Sequence, residues 1–270
     1  MIHPFHAILL GVVEGVTEFL PVSSTGHLIL ASRLLGLQGE AVNTFEVVIQ
    51  AGALGAVLGL YRGRVVSMWR GLFGQDAAGS RLLANLLVSF FPAAIAGVLL
   101  HQAIKTHLFS LWPVVAALAL GALVMIGVDR WAGRHRPSDG RTIDSITGRE
   151  ALLIGCAQCL SLWPGTSRAM VTIVAGLLLG WPATLAAEYS FLLALPTLGA
   201  ATLFDAAKGG AGLLRDVGVL SVACGFLAAG IVAALAIRGF IRYLTRRGLA
   251  PFGWYRLGLA AAVWLVAARS

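Results

Sequence analysis

Eight apolar stretches follow one another along the chain, separated by shorter polar segments. They fall near residues 5–31, 41–60, 82–100, 111–129, 151–180, 183–204, 217–237 and 251–268. A helix needs about 20 apolar residues to cross the hydrocarbon core of a bilayer, so six of these stretches predict ordinary transmembrane helices. The stretches 5–31 and 151–180 differ, because a polar cluster rich in Pro, Ser and Gly interrupts each of them near its middle.

The two interrupted stretches contain the runs LPVSSTGH and WPGTSR. Irregular backbone is tolerated inside a membrane only where protein or a water-filled cavity surrounds it, because lipid offers no hydrogen-bond partner. Each stretch therefore predicts a re-entrant pair of helices that leaves the membrane on the side where it entered. The predicted fold class is an all-α polytopic membrane protein, in which residues 1–270 form a single integral membrane domain with six transmembrane helices and two re-entrant helix pairs.

The composition agrees with this fold and excludes other classes of protein. Hydrophobic side chains make up 58% of the chain and charged side chains 12%, with a mean hydropathy of +0.86. This composition is typical of a membrane protein, and the eight apolar stretches leave no length for a soluble domain. A net charge of +8 would suggest nucleic acid as a partner of a soluble protein. Here we expect no nucleic-acid binding, because the basic residues are concentrated in short loops between apolar stretches.

The distribution of basic residues also predicts the orientation of the protein. Loops 61–81, 130–149 and 238–256 hold four, five and five of the 20 Lys and Arg residues. Short cytoplasmic loops carry such an excess of positive charge. The three loops lie on one side of the membrane only if both interrupted stretches are re-entrant, so the charge pattern favours that interpretation.

The interrupted stretches resemble each other in sequence. Two residue pairs are 144 positions apart, and with one gap two further pairs are 143 apart: Gly11 with Gly155, Glu14 with Gln158, Pro21 with Pro164 and Ser24 with Ser167. The chain is therefore predicted to be a duplication, with internal repeats at about 1–130 and 148–270. Three crossings in each half would insert the second half upside down, which gives an inverted-topology repeat whose broken helices meet near the membrane midplane and form the site.

Charged residues within the apolar stretches are the first candidates for function, because a charge in the membrane is costly. Glu14, Glu18, His27 and Arg168 all lie in the two re-entrant segments. Glu14 and Glu18 are four residues apart and share one face of a helix. Two carboxylates at this spacing can share a proton or bind a hard divalent cation.

Hydroxyl residues follow both breaks, at the point where a second helix is predicted to begin. They are Ser23, Ser24 and Thr25 in the first segment and Thr166 and Ser167 in the second. The N–H groups of a helix N-terminus attract anions, and a neighbouring Arg presents a fork that suits phosphate. Carboxylates, hydroxyls, an imidazole and an Arg in one cavity resemble a phosphoryl-transfer site.

The runs EGVTEFLPVSSTGH and PGTSR resemble the motifs of the membrane-embedded undecaprenyl-diphosphate phosphatases, the bacitracin-resistance family of bacteria. The likeness covers the whole chain, including the TFEVVIQ stretch and the duplicated layout. It implies a hydrolase that converts undecaprenyl diphosphate to undecaprenyl phosphate and inorganic phosphate, recycles the carrier for peptidoglycan synthesis and confers bacitracin resistance. It also implies a divalent cation, Mg²⁺ or Ca²⁺, a place in the bacterial inner membrane and a site that opens toward the periplasm.

The resemblance carries over to individual residues. The matching positions are Glu14, Glu18, Ser24, His27, Ser167 and Arg168, so we expect the cation on Glu14 and Glu18 and the catalytic residues to be Ser24, His27, Glu18 and Arg168. The hydroxyls at the two helix starts add Thr25 and Thr166 to Arg168 and Ser167 as expected phosphate-binding residues. One departure from the family pattern is visible, since Ala169 and Met170 stand where Ser-Gly is usual. A role for a hydroxyl directly after the Arg therefore does not extend to this chain.

The sequence leaves the nucleophile and a second function open. Ser24 could attack after His27 takes its proton, His27 could itself be phosphorylated, or His27 could activate a water molecule. The same inverted repeat would also suit a lipid-carrier flippase or a small-anion transporter. A transporter needs no nucleophile, so the combination of acids with Ser, His and Arg favours the phosphatase. A homodimer is left open as well.

Overall fold

The computed structural model describes residues 2–37, 39–108, 110–132 and 140–268, and this part of the chain consists of helices and turns without a β-strand. The α-helices in chain order are α1 Pro4–Thr17, α2 Ser24–Leu34, α3 Glu40–Leu60, α4 Arg62–Leu72, α5 Ala77–His107, α6 Leu111–Ala132, α7 Gly148–Gln158, α8 Arg168–Leu178, α9 Ala183–Asp216, α10 Val219–Arg247 and α11 Ala250–Ala268. Short 3-10 helices occupy Ile143–Ser145 and Cys159–Leu162. The all-α class is confirmed, whereas residues 133–139 of the predicted Arg-rich loop lie outside the described residues.

Several of these helices are long and apolar enough to cross a membrane. Within the described residues four qualify: Ala77–Ile104, Leu111–Ala132, Ala183–Phe204 and Val219–Arg247. The pair Thr44–Leu60 and Arg62–Leu72, bent by 84°, makes a fifth if it counts as one crossing. The chain is therefore a multi-pass membrane protein. The remaining predicted crossing, at 251–268, coincides with α11, and the full arrangement of six crossings with two re-entrant pairs stays a prediction.

The outer faces of the long helices carry large apolar side chains. Val98 and Leu99 on α5 are 80% and 76% exposed, and Leu235 on α10 is 64% exposed. Apolar area of this extent is unusual on the surface of a soluble monomer. In a membrane protein these side chains face lipid, which explains why the sequence is apolar well beyond what its core requires.

Each interrupted stretch consists of two helices separated by a break. The break lies between α1 and α2 in the first stretch and between α7 and α8 in the second. The residues before α2 and α8, Ser23 and Ser167, have positive φ angles of 73° and 72°. Each serine Oγ accepts a hydrogen bond from the N–H three residues later, at 3.4 Å and 3.3 Å, so each caps its helix.

These matching caps correct one detail of the sequence comparison. Ser23 and Ser167 are 144 residues apart and share the same unusual backbone, so Ser167 corresponds to Ser23 and not to Ser24. The gap predicted between the two motifs was wrong. It aligns Pro21 with Pro164, but these two prolines do not occupy equivalent positions before the capping serines. The spacing of 144 that relates Gly11 to Gly155 thus continues through both breaks.

The first helix of each re-entrant segment packs closely on a long helix. α1 lies against α10, and α7 lies against α5. A Cβ atom on Gly155 would come within 2.7 Å of the Ser89 carbonyl oxygen on α5, and one on Gly11 would meet the Gly225 carbonyl on α10. Both glycines therefore permit backbone contact between helices. This correspondence is what a duplicated fold would produce, although the repeat boundaries at about 1–130 and 148–270 stay a prediction.

Polar contacts fix the N-terminus of α7, outside the apolar stretch. Thr147 and Glu150 cap this helix reciprocally, and Arg141 donates to both Glu150 oxygens at 2.7 and 3.0 Å. Trp181 Nε1 donates to the same carboxylate at 3.1 Å. Burial alone would raise the pKa of Glu150, but the hydrogen bonds, the one from Arg141 foremost, lower it to about 2. Glu150 therefore joins the loop, α7 and the start of the α9 segment.

Replacing Glu150 with Gln should lower the thermal stability of the protein at neutral pH. The pKa of Glu150 is lowered from 4.5 to about 2, so its stabilising contribution is complete above pH 4.5 and disappears as the pH falls toward 2. We expect a loss of about 1–3 kcal/mol at pH 7, which shrinks in that acidic range. Melting curves of both proteins in detergent at several pH values test this, and a Tm difference independent of pH would contradict it.

Candidate active site

A cavity of about 730 Å³ lies where the two breaks meet. Its walls come from both breaks, from α5 and α9 and from one residue of α3, Gln50. The wall residues from the breaks are Glu18, Ser23, Ser24, Thr25, residues 161–165, Ser167 and Arg168. Five of the residues predicted from the sequence therefore share one cavity: Glu18, Ser24, Thr25, Ser167 and Arg168. The other three, Glu14, His27 and Thr166, do not line it.

Glu18, just after the end of α1, connects the two breaks. Its Oε2 accepts a hydrogen bond from Ser24 Oγ at 2.6 Å, and its Oε1 lies 3.4 Å from Arg168 Nη2. The residue is 7% exposed. A hydroxyl held this close to a carboxylate can transfer its proton to it. One carboxylate thus joins a candidate nucleophile on the first break to a positive charge on the second.

Arg168 begins α8 and is buried beneath the cavity. Its Nη1 donates to the Ser190 carbonyl oxygen on α9 at 2.8 Å, and its Cζ lies 5.9 Å from the centre of the Phe19 ring. Its Nε is buried and has no hydrogen-bond partner. Nη1 and Nη2 therefore fix the guanidinium, and the buried Nε is left without a partner. The first turn of α8 adds N–H groups without intrahelical acceptors. This arrangement suits a phosphate group.

His27 is engaged away from Ser24. Its Nδ1 donates to the Ser23 carbonyl oxygen at 2.7 Å, which leaves Nε2 of the neutral ring to accept from Tyr255 Oη at 2.7 Å. The two rings are stacked with their centres 5.6 Å apart. One of the three alternatives for the nucleophile requires a Ser24–His27 contact, and the structure does not bring these two side chains together. Ser24 bonds Glu18 instead, because the His27 side chain turns back along α2 and toward α11.

Glu14 lies one helical turn before Glu18 and further from the cavity. It is 1% exposed, and neither carboxylate oxygen has a hydrogen-bond partner. A buried carboxyl without partners is costly, so this site fits a cation or a proton. No group of three or more His, Cys, Asp and Glu residues with metal-binding geometry occurs among the described residues. The protein would thus supply a cation with the two carboxylates, and the substrate would have to supply other ligands.

Two residues on α11 belong to this region but do not stand out in the sequence as site residues. Arg256 is 0% exposed and donates to carbonyl oxygens at both breaks, and Tyr255 bonds His27. The charge pattern places Arg256 in the Arg-rich loop 238–256, which is wrong for this residue. A signal was present in the sequence, since the last apolar stretch begins at 251 and Arg256 already lies within it.

Comparison of the sequence with known protein families identifies the family of this chain. Residues 7–262 match the family described as Bacitracin resistance protein BacA. The chain belongs to the BacA family. The resemblance inferred from the two motifs is therefore confirmed.

Three relatives of this chain carry the name undecaprenyl-diphosphatase. An undecaprenyl-diphosphatase of Sorangium cellulosum is 52% identical over 264 residues, which cover 97% of this chain and 86% of the relative. The undecaprenyl-diphosphatase of Nitrosomonas europaea is 45% identical, with coverage of 97% and 93%. That of Acinetobacter baumannii is 41% identical, with coverage of 97% and 94%.

The departure of this BacA-family chain from the usual motif lies in the first turn of α8. Ala169 and Met170 are buried, 0% and 4% exposed, so their side chains pack into the core and offer no hydroxyl. The Met170 N–H donates to Ser167 Oγ. The polar groups available here are thus the backbone, Ser167 and Arg168.

Proposed function

We propose that this chain hydrolyses undecaprenyl diphosphate to undecaprenyl phosphate and inorganic phosphate, and so recycles the lipid carrier for peptidoglycan synthesis and confers bacitracin resistance. Its BacA-family relatives are named undecaprenyl-diphosphatase. Within the molecule, the observation that carries the proposal is the set of contacts from Ser24 through Glu18 to Arg168 in one cavity. These side chains supply a nucleophile, a base and a phosphate-binding cation.

The same contacts support a two-step reaction. Ser24 Oγ attacks the terminal phosphorus while its proton passes to Glu18, and the bond between that phosphorus and the bridging oxygen breaks. Glu18 returns the proton to the departing undecaprenyl phosphate. Water then attacks the phosphoserine and gives a proton to Glu18, which protonates Ser24 Oγ as inorganic phosphate leaves. Arg168 and the N–H groups of α8 stabilise the charge on the phosphoryl oxygens throughout.

The rest of the cavity supports a lipid substrate. Most residues in the walls formed by α5 and α9 have small or apolar side chains, namely Phe90, Ala93, Ala94, Gly97, Val98, Leu198, Ala200, Ala201 and Phe204. His101 on α5, Thr197 on α9 and Gln50 on α3 add polar groups to these walls, and the charged residues Glu18 and Arg168 lie at the two breaks. A diphosphate would bind at the breaks with its prenyl chain between α5 and α9, where the protein borders the bilayer.

A divalent cation, Mg²⁺ or Ca²⁺, is part of this proposal. Glu18, with Glu14 one turn away, would hold it, and the unpartnered oxygens of Glu14 support that assignment. When bound, it would neutralise charge on the diphosphate and make the phosphorus more susceptible to attack. Thr25 and Ser167 line the same cavity and would donate to phosphate oxygens, whereas Thr166, predicted for the same role, does not line it.

We also propose an arrangement of the protein in the membrane. We place six transmembrane helices and two re-entrant pairs, in an inverted repeat, in the bacterial inner membrane, with the Arg-rich loops in the cytoplasm and the cavity opening toward the periplasm. The alternative of a flippase or small-anion transporter is not favoured. Relatives are named undecaprenyl-diphosphatase, and a serine is hydrogen-bonded to a carboxylate. Both observations favour catalysis by a nucleophile, which a transporter does not require.

Phosphate release from undecaprenyl diphosphate by the purified protein in detergent tests the function. We expect turnover in the presence of Mg²⁺ or Ca²⁺, a loss of at least about 10-fold when EDTA removes the cation, and recovery when either ion is restored. The Ser24→Ala variant, matched for folding by its Tm, provides the background rate. Absence of release by folded wild-type protein would overturn the function, and full activity in EDTA would overturn the cation.

A further inference from the structure

Arg256 is a buried charge whose hydrogen-bond partners are all backbone carbonyls. It lies on α11 and is 0% exposed. No carboxylate lies within ion-pair distance of it among the residues that the structure describes. Burying an arginine in this way is expensive unless its donors are well paired, and five hydrogen bonds to carbonyl oxygens satisfy the guanidinium.

The five acceptors come from three separate parts of the chain. Nη1 donates to Pro21 in the first break at 3.3 Å and to Thr166 in the second at 2.9 Å. Nη2 donates to Gly165 in the second break at 2.9 Å and to Ala117 on α6 at 3.0 Å. Finally, Nε donates to the Leu118 carbonyl, also on α6, at 3.3 Å.

Two of these carbonyls occupy the same place in each break. Pro21 and Gly165 are 144 residues apart, the spacing that also relates the capping serines Ser23 and Ser167. A single planar guanidinium therefore binds corresponding atoms of both breaks at once. Because its fork is rigid, it fixes the position of one break relative to the other.

That relative position is what the proposed reaction depends on. Glu18 and Ser24 belong to the first break, and Arg168 belongs to the second, with 3.4 Å between Glu18 Oε1 and Arg168 Nη2. The attacking oxygen and the phosphate-binding group are therefore held on different segments. A displacement of about 1 Å between reacting groups can reduce a rate by about 10²-fold.

We infer that Arg256 is a positioning residue that aligns the two breaks for the reaction. Arg256 does not line the cavity. It acts through the backbone carbonyls of Pro21, Gly165 and Thr166, which precede α2 and α8. The inference rests on the proposed phosphatase function and adds to it the element that holds the two halves of the site in register.

A glycine on α6 makes room for this guanidinium and offers an independent test. A Cβ atom on Gly121 would meet Arg256 Nη2, and it would come within 2.9 Å of Met170 Cε. Met170 Cε is the far end of a flexible side chain and can move aside, whereas the guanidinium is held by its hydrogen bonds. Gly121→Ala should therefore push the guanidinium away from some of its carbonyl acceptors, because the added methyl group meets side-chain atoms and not backbone. Gly127 on the same helix has no atom within 4 Å of such a Cβ, so Gly127→Ala is the matched control.

The experiment compares Arg256→Lys, Gly121→Ala and Gly127→Ala in steady-state phosphate release, with Tm and size-exclusion profiles measured on each protein. Lysine keeps the charge but cannot reach five acceptors from one planar group. We expect kcat to fall about 10²-fold in Arg256→Lys and at least about 10-fold in Gly121→Ala. KM should stay within about 3-fold of wild type in both, and Gly127→Ala should behave as wild type.

Three results would overturn the inference. One is wild-type kcat in both Arg256→Lys and Gly121→Ala. Another is a rise in KM at unchanged kcat, which would make Arg256 a binding residue. The third is unfolding of both variants while Gly127→Ala stays folded, which would make it a general structural residue. Inactive wild-type protein would instead refute the phosphatase function, so the two failures are distinguishable.

Discussion

Replacing Glu18 with Gln is expected to reduce kcat for undecaprenyl diphosphate by about 10³-fold. The amide keeps the size of the side chain and can still accept from Ser24 Oγ, which lies 2.6 Å from Glu18 Oε2, but it cannot take the serine proton. General-base catalysis contributes about 10²–10⁴-fold to a rate, and glutamine also removes the charge opposite Arg168. Phosphate release at saturating substrate measures the effect.

A matched control is available on α3. Glu46 is also a carboxylate within an apolar stretch and accepts a hydrogen bond from a serine, Ser32 at 3.1 Å, but it does not line the cavity. Glu46→Gln should lower kcat far less than Glu18→Gln does, because it leaves the contacts of Glu18 with Ser24 and Arg168 in place. A Glu18→Gln protein as active as Glu46→Gln would contradict the role of Glu18.

Labelling of the protein during turnover, compared between wild type and Ser24→Ala, identifies the nucleophile. In wild-type protein quenched during turnover of labelled substrate, phosphate attached to Ser24 would be stable to acid, whereas phosphate on His27 would be labile. We expect acid-stable label that disappears in Ser24→Ala, because Ser24 has the carboxylate partner and His27 has both ring nitrogens engaged. Label that persists in Ser24→Ala would exclude the serine, and turnover without any label would favour direct attack by water.

The sequence predicts the breaks and the helix starts because the cause of each is local. Pro, Gly and Ser disfavour a continuous helix and provide the cap, so α2 and α8 begin where the hydroxyl clusters lie. Glu18 and Arg168 are also predicted from the sequence as site residues, because a charge in an apolar stretch is costly and is retained for a function. Both residues do line the cavity.

What could not be predicted depends on contacts between remote segments. The orientation of His27 depends on Tyr255, which lies 228 residues further along the chain. Helical spacing places His27 and Ser24 on the same helix face but does not show that the His27 ring turns toward Tyr255. The charge pattern of the sequence assigns Arg256 to a loop. Its burial is possible because carbonyl oxygens of α6 and of both breaks accept its hydrogen bonds. Local pattern identifies the reacting groups, whereas the groups that hold them in place come from tertiary structure.

Replacing Arg168 with Lys is expected to reduce kcat/KM by about 10³-fold, the scale on which a transition-state arginine acts in phosphoryl transfer. The guanidinium binds the Ser190 carbonyl through Nη1 and Glu18 through Nη2, and it keeps Nε unpaired. One ammonium nitrogen cannot hold both partners and donate to phosphate in the same plane. Inhibition by inorganic phosphate, the product, should weaken in parallel.

Arg64→Lys is the matched control for this substitution. Arg64 also donates through its guanidinium to a glutamate, Glu188 at 3.2 Å, but its side chain is 36% exposed and lies outside the cavity. Since partly exposed ion pairs contribute at most about 1 kcal/mol, we expect near-normal kinetics and a Tm within a few degrees. If Arg168→Lys instead matched Arg64→Lys in kcat/KM and in phosphate inhibition, Arg168 would be only a buried counter-ion of Glu18, and the phosphate would have to be bound by the backbone and hydroxyls of the two breaks.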